Sequence, residues 1–212
     1  MLYMLNTASF DDSFMDEIKA AEKKIFSTDR LIRGNKHSLC GRILLGYILK
    51  NRYGIASFSY SYGENGKPYL KNEDIFFSIS HSGKYVLCCV SDSEIGCDIE
   101  EIRDYNPKVG KRFFTSEEYE LLSNKETEDI NFAKLWTLKE SILKKEGTGI
   151  SGGLDTYCFA DFIDKESFDA YGCSFYSYRF GAYMVSVCGE KADYGTEIVS
   201  EEKITEFIRT LN

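Results

Sequence analysis

Apolar residues recur along this chain with two periods, and the change from one to the other marks out its elements. Phe14, Met15, Ile18, Ala21 and Ile25 fall at helical spacing, which predicts a helix over residues 11–26. Leu39, Ile43, Leu45, Tyr47 and Ile48 predict a second helix over 38–52, with Gly54 as its natural stop. Shorter runs at 75–79, 85–91 and 94–99 read as strands. Further on, the pattern predicts helices over 116–123 and 131–145, then strands over 156–162, 173–179 and 182–188. In 200–211, Ile204, Phe207, Ile208 and Leu211 stand at i, i+3, i+4 and i+7, the stripe of an amphipathic helix.

The pattern also repeats. Gly83-Lys84-Tyr85-Val86-Leu87-Cys88-Cys89-Val90 matches Gly181-Ala182-Tyr183-Met184-Val185-Ser186-Val187-Cys188 in glycine, tyrosine and apolar positions. The helical stretch before each corresponds too, 43–55 with 138–150. Chance likeness between amphipathic segments would explain the apolar positions but not both glycines. The chain therefore reads as two related halves, 1–104 and 105–212, joined where Arg103-Asp104-Tyr105-Asn106-Pro107 carries one of only two prolines. The expected fold class is α+β: two pseudo-symmetric α/β halves with a site between them.

Composition narrows the function. A hydrophobic content of 43% with 15% aromatic residues excludes disorder, and 212 residues can bury a sizeable core as one large domain or two small ones. No run of eighteen apolar residues occurs, so no membrane span is expected, and the first residues lack a signal-peptide pattern. A net charge of −8 argues against a nucleic-acid partner. Local charge runs the other way between Lys23 and Arg42, where Arg30, Arg33, Lys36 and His37 meet a single acid, Asp29. Such a run is ordinarily a solvated surface, but it also suits an anionic ligand. Seven cysteines without a CxxC pair, beside two histidines, suggest neither zinc nor disulfides; reduced thiols in the cytoplasm are expected.

Chemistry gathers at two stretches. In Ile95-Gly96-Cys97-Asp98-Ile99-Glu100 a strand would turn Asp98 and Glu100 to one face and Cys97 and Ile99 to the other. In Trp136-Thr137-Leu138-Lys139-Glu140-Ser141-Ile142-Leu143-Lys144 a helix stacks Trp136, Glu140 and Lys144 along one side. Taken singly, the first is an ordinary edge strand and the second a surface ion pair worth about 0.3–0.5 kcal/mol. If Asp98, Glu100 and Glu140 converge, they form a hard-oxygen site for Mg²⁺ bridging a bound phosphate, with Lys144 facing the same phosphate. Ser80-His81-Ser82 offers short donors at a strand end, and no acid with triad-like spacing accompanies His81.

Read in order, Gly66-Lys67-Pro68, Phe77-Ser78-Ile79-Ser80-His81-Ser82, Gly96-Cys97-Asp98-Ile99-Glu100 and Trp136 to Lys144 resemble the signature of the Sfp-type 4′-phosphopantetheinyl transferases. One departure is visible: Ser78 stands where the family often has Asn. The resemblance implies transfer of the phosphopantetheine arm of coenzyme A to a serine of an acyl or peptidyl carrier protein. It carries a Mg²⁺ role onto Asp98, Glu100 and Glu140. Coenzyme A contacts fall on Lys67, Ser80, His81 and Lys144, and by a looser match on Arg33 and Ser38. Glu140 is the candidate base, with Glu118 as its rival, and Lys144 would stabilise or protonate the leaving phosphate. A monomer is expected. Two other readings stay open: a non-catalytic module that binds carrier protein or nucleotide, and a Mg²⁺-dependent phosphohydrolase.

Overall fold

In the computed structural model, which describes residues 1–28, 35–149, 153–191 and 194–211, the chain opens with a strand that the apolar pattern did not single out. The first half runs β1 (Leu2–Asn6), α1 (Asp12–Ile25), β2 (Phe26–Ser27), α2 (Lys36–Tyr53), β3 (Phe58–Tyr62), β4 (Pro68–Leu70), β5 (Phe76–Ser82) and β6 (Tyr85–Ser91). There follow β7 (Gly96–Glu101), α3 (Pro107–Phe113), α4 (Ser116–Glu120) with a 3₁₀ turn at Leu121–Ser123, and α5 (Glu128–Glu146). The chain continues through β8 (Ser167–Ala170), β9 (Cys173–Phe180), β10 (Tyr183–Gly189), β11 (Thr196–Val199) and α6 (Glu201–Arg209).

Two four-stranded sheets, ordered β11-β1-β6-β5 and β7-β10-β9-β8, stack on each other; β2, β3 and β4 make a small third. β1 shows why its sequence carries no alternation. Tyr3 and Leu5 join the core under α1, α2 and α6, while Leu2 and Met4 join the core between the two sheets. Both faces are covered, so all four residues are apolar. On the far side α5 lies over the second sheet, and Leu135, Leu138 and Ile142 pack with Phe159, Phe168 and Phe175. The result is four layers: helices, sheet, sheet, helix. Among the described residues no helix is long and apolar enough to cross a membrane.

The repeat is visible in three dimensions. Hairpins β5–β6 and β9–β10 both turn on a glycine in the left-handed region, Gly83 at φ 53° and Gly181 at φ 59°. α2 and α5 both end on a left-handed glycine, Gly54 and Gly147. β1 pairs antiparallel with β6 as β7 does with β10. Thus β7, which precedes residue 104, lies in the second sheet, while β11 and α6 from the end of the chain pack with the first.

One predicted strand does not form. Residues 156–162 make two 3₁₀ turns, Leu154–Thr156 and Ala160–Phe162, around buried Phe159. The backbone here gives its hydrogen bonds to side chains instead of to a ladder. The carbonyls of Leu154 (2.7 Å) and Tyr157 accept from the Lys139 ammonium, and the amide of Phe159 donates to Glu118 Oε1 at 2.8 Å.

Candidate active site

The edges of the two sheets meet along β5 and β7, and serine hydroxyls join them. Ser78, Ser80 and Ser82 alternate along β5, so they share one face. Ser78 Oγ accepts from the amide of Cys97 at 3.2 Å, and Ser80 Oγ donates to Asp98 Oδ1 at 2.6 Å. Ser82 Oγ donates to Glu100 Oε2 at 2.9 Å and accepts from the amide of Glu101 at 3.1 Å. Asp98 and Glu100 therefore do share a face, and that face is the seam rather than solvent: Asp98 is only 3% exposed.

Gly96 brings α5 against this seam. A Cβ there would stand 1.9 Å from the Ser141 carbonyl oxygen and 2.4 Å from the Lys145 amide nitrogen. With only hydrogen at that point the helix backbone lies directly on β7, which carries Glu140 and Lys144 to the strand acids. The Lys144 ammonium donates to Asp98 Oδ1 at 2.6 Å and to Ser80 Oγ at 3.0 Å. Its ion pair is thus across the seam to a buried acid, not along the helix to Glu140.

The electrostatics are those of crowded carboxylates. Burial, with the Asp98 charge beside it, pushes Glu100 up to about 6 and holds Glu140 above the usual carboxylate range. Burial pulls Lys144 down, but the charge and hydrogen bond of Asp98 outweigh it and leave Lys144 above its ordinary value. Asp98 Oδ2 and Glu140 Oε1 are buried and, among the described residues, have no hydrogen-bond partner. Among the described residues no three carboxylate, histidine or cysteine side chains already close on one point as a metal cage. The donors nonetheless fit a small hard cation: three acids, two of them with an orphaned oxygen, face a single lysine.

A cavity of about 400 Å³ opens on the lysine side, lined by Ser38, Arg42, Lys67, His81, Lys144 and Gly147 among others. Lys67 lines it but its ammonium is engaged, paired with Glu94 and donating to the Lys145 carbonyl at 2.6 Å. Arg33 lies outside the described residues. Arg42 was missed by the sequence reading. It is buried, pairs with Glu22 at 2.6 Å and faces the cavity one helical turn from Ser38. The signal was present: a lone guanidinium in the apolar run Cys40 to Leu45 needs a reason. A second cavity, about 500 Å³, opens beyond Glu100 between Arg103, Tyr105, Val109, Phe132 and Trp136. Trp136 faces this side, stacked on Phe132.

Glu118 is removed as a rival base by its surroundings. It is fully buried, pairs with Lys139 at 2.8 Å, and accepts from the amides of Phe159 and Thr115 at 2.8 and 2.9 Å. Both its oxygens are committed to holding the chain.

The chain has relatives among known proteins. The family described as the 4′-phosphopantetheinyl transferase superfamily matches residues 94–191, the span from β7 to β10 that carries all three acids and Lys144. The chain is 32% identical over 180 residues to the 4′-phosphopantetheinyl transferase Sfp of Bacillus subtilis (strain 168), covering 79% of this chain and 80% of that protein. It is 35% identical over 143 residues to the 4′-phosphopantetheinyl transferase psf-1 of Bacillus pumilus, covering 65% and 59%. The 4′-phosphopantetheinyl transferase AcpT of Escherichia coli (strain K12) is 35% identical over 118 residues, covering 51% and 56%. The α+β fold with its seam of acids defines a transferase class, and the chain belongs to the 4′-phosphopantetheinyl transferase family. Within that family it is of the Sfp type.

Proposed function

We propose that this protein moves the 4′-phosphopantetheine arm of coenzyme A to a serine hydroxyl of an acyl or peptidyl carrier protein in a Mg²⁺-dependent reaction. The observation that carries the reading is the pair of orphaned carboxylate oxygens, Asp98 Oδ2 and Glu140 Oε1, beside a cavity lined by cationic and hydroxyl side chains. Asp98, Glu100 and Glu140 would hold the metal. Bound there, it would supply charge neutralisation on the pyrophosphate.

The chain's own groups supply the rest. Ser38, Arg42, Lys67 and His81 line the cavity that receives the nucleotide side of coenzyme A. The carrier serine enters from the Glu100 side, where Phe132 and Trp136 offer an apolar bed for its domain. The serine oxygen bonds to the pantetheine-side phosphorus, and the bond from that phosphorus to the leaving adenosine 3′,5′-bisphosphate breaks. The serine proton goes to Glu140, directly or through a water; burial and the Asp98 charge hold its carboxyl above the usual carboxylate range in the metal-free chain. Lys144 lies where charge develops on the departing phosphate, and its ammonium already binds the seam. Residues between Ser38 and His81 form one wall of the nucleotide-side cavity and the end of α5 the other, and we take the protein to act as a monomer. Its seven free thiols suit the cytoplasm.

Incubation with coenzyme A, MgCl₂ and apo acyl or peptidyl carriers, followed by intact-mass measurement, tests this. The carrier should gain one phosphopantetheinyl group only when enzyme, coenzyme A and metal are all present. Cleavage of coenzyme A without a carrier would mark a phosphohydrolase, and binding without turnover a non-catalytic module.

A further inference from the structure

The chain has two histidines, and they meet. His37, in the first turn of α2, and His81, on β5, stack with ring centroids 4.8 Å apart and planes 17° from parallel. His37 Nε2 lies 3.0 Å from the Gly83 carbonyl oxygen, which fixes its ring over the turn that follows His81. The pair stands at the rim of the coenzyme A cavity, with His81 and Ser38 in its wall.

Two stacked imidazoles cannot both become cations at little cost, because like charges at this distance repel. The groups that face His81 set the balance. His37 from α2 and Lys144 from α5 disfavour its charge, and Asp98 from β7 favours it more weakly. Nearby cations are occupied: the Lys36 ammonium is on the Phe10 carbonyl at 2.9 Å, Arg42 is paired with Glu22, and Lys84 lies over the Tyr85 ring. Without a ligand, partial desolvation, His37 and Lys144 hold His81 below the ordinary histidine range. A phosphate brought to the rim reverses the sign of the local field.

We infer that His37 and His81 form a two-ring clamp that takes up a proton as it receives a phosphate group of coenzyme A. Affinity then rises as pH falls through the neutral range. The inference rests on the cavity being the coenzyme A site, and it adds His37, which the sequence offers only as one member of the basic run between Lys23 and Arg42. The His81 ring contacts the phosphate, and His37 supplies a second donor and holds that ring in register.

Because the chain has no other histidine, side-chain NMR reads the pair directly and separately from the ligand's own protons. The two imidazole signals are titrated in EDTA, free and saturated with coenzyme A; His37→Phe assigns them. The midpoint for the pair's first proton should rise by about one unit with ligand. His37→Phe keeps a ring in the stack but cannot take a proton, so it should weaken coenzyme A binding about tenfold at pH 6 and leave it unchanged at pH 8.5. A loss that is equal at both pH values would reduce His37 to a packing residue and overturn the inference. Binding with unmoved histidine signals would overturn it and leave the coenzyme A site standing. Absence of coenzyme A binding to the wild-type protein would remove the site reading itself.

Discussion

Glu100 and Glu140 are held in the folded chain at a cost that a cation can relieve. Each has a folded pKa above its unfolded value, so the folded state binds protons more tightly. Stability in the metal-free protein should therefore fall as pH rises from about 4.5 to above 6, by at most about 2 kcal/mol for Glu100. Magnesium should restore most of that loss at pH 7.5 and little at pH 5. Thermal melts with EDTA and with MgCl₂ at the two pH values check this, and equal shifts at both would remove the acids as the metal's ligands. Glu140→Gln separates function from folding. It should abolish most transfer while leaving the metal-free melting temperature equal or higher, since an unpartnered buried carboxylate is replaced by an amide. Lys144→Ala behaves differently from the surface pair that its spacing suggested. It uncovers buried Asp98, so it should lower both transfer rate and metal-free stability, with Lys144→Arg recovering little transfer because the guanidinium has another shape.

Among the elements, α5 carries the most consequence. Gly96→Ala would drive a methyl into the α5 backbone, which has no rotamer by which to yield. The strand and helix would have to part, at about 3 kcal/mol or more, with loss of transfer even if the chain still folds. The other end of the helix surface is fixed by the buried Lys139–Glu118 pair. Glu118→Gln should cost about 3–5 kcal/mol in denaturant melts, since it leaves an ammonium buried among carbonyls. These elements also show what sequence can and cannot reveal. α1 and α6 were readable because one apolar face of each meets a core and the period of 3.6 survives; α2 and α5 are buried on more than one side, and their length, apolar content and closing glycines mark them instead. β1 was not readable, because both its faces are covered, and β4, β8 and β11 are too short to show a period; β3, Phe58-Ser59-Tyr60-Ser61-Tyr62, does alternate, and its pattern was there to read. The 156–162 segment looked like a strand because Tyr157, Phe159 and Phe162 are apolar. Nothing local announces that Lys139 and Glu118, distant in sequence, take its backbone groups. At the site, the four motifs named the residues around the seam, while Arg42 and His37 needed the fold to show what they face.

The whole molecule depends on its last helix. Ile204, Phe207 and Ile208 of α6 are buried against α1 and α2. Each buried side chain contributes about 1.5–3 kcal/mol, so removing residues 200–211 should cost most of the stability of a domain this size. Loss of the cooperative melt by circular dichroism is the expected result; a truncated chain that melts like the full one would show the helix to be dispensable. Carrier docking belongs to this scale as well. The Glu100-side groove mixes Phe132, Trp136 and Val109 with Arg103 and Asp104, so carrier affinity should change only modestly with salt. A steep salt dependence in titration calorimetry would place docking on a charged face instead.

The two large sheets, finally, are not sewn together by main chain. Among the described residues, β5 and β7 exchange no ladder bond; four hydroxyl contacts from Ser78, Ser80 and Ser82 span the gap. A ladder slips only by whole residues, but a hydroxyl swivels, and each such bond is worth only about 1 kcal/mol net. The joint is therefore a zipper with rotating teeth. Rotation of the hydroxyls lets this edge adjust locally, while the apolar core between the sheets and the Lys144–Asp98 pair hold the two sheets in register. What the joint permits is reorientation of Asp98 and Glu100 against their serine partners as a cation or phosphate arrives, a freedom that a continuous ladder would deny them.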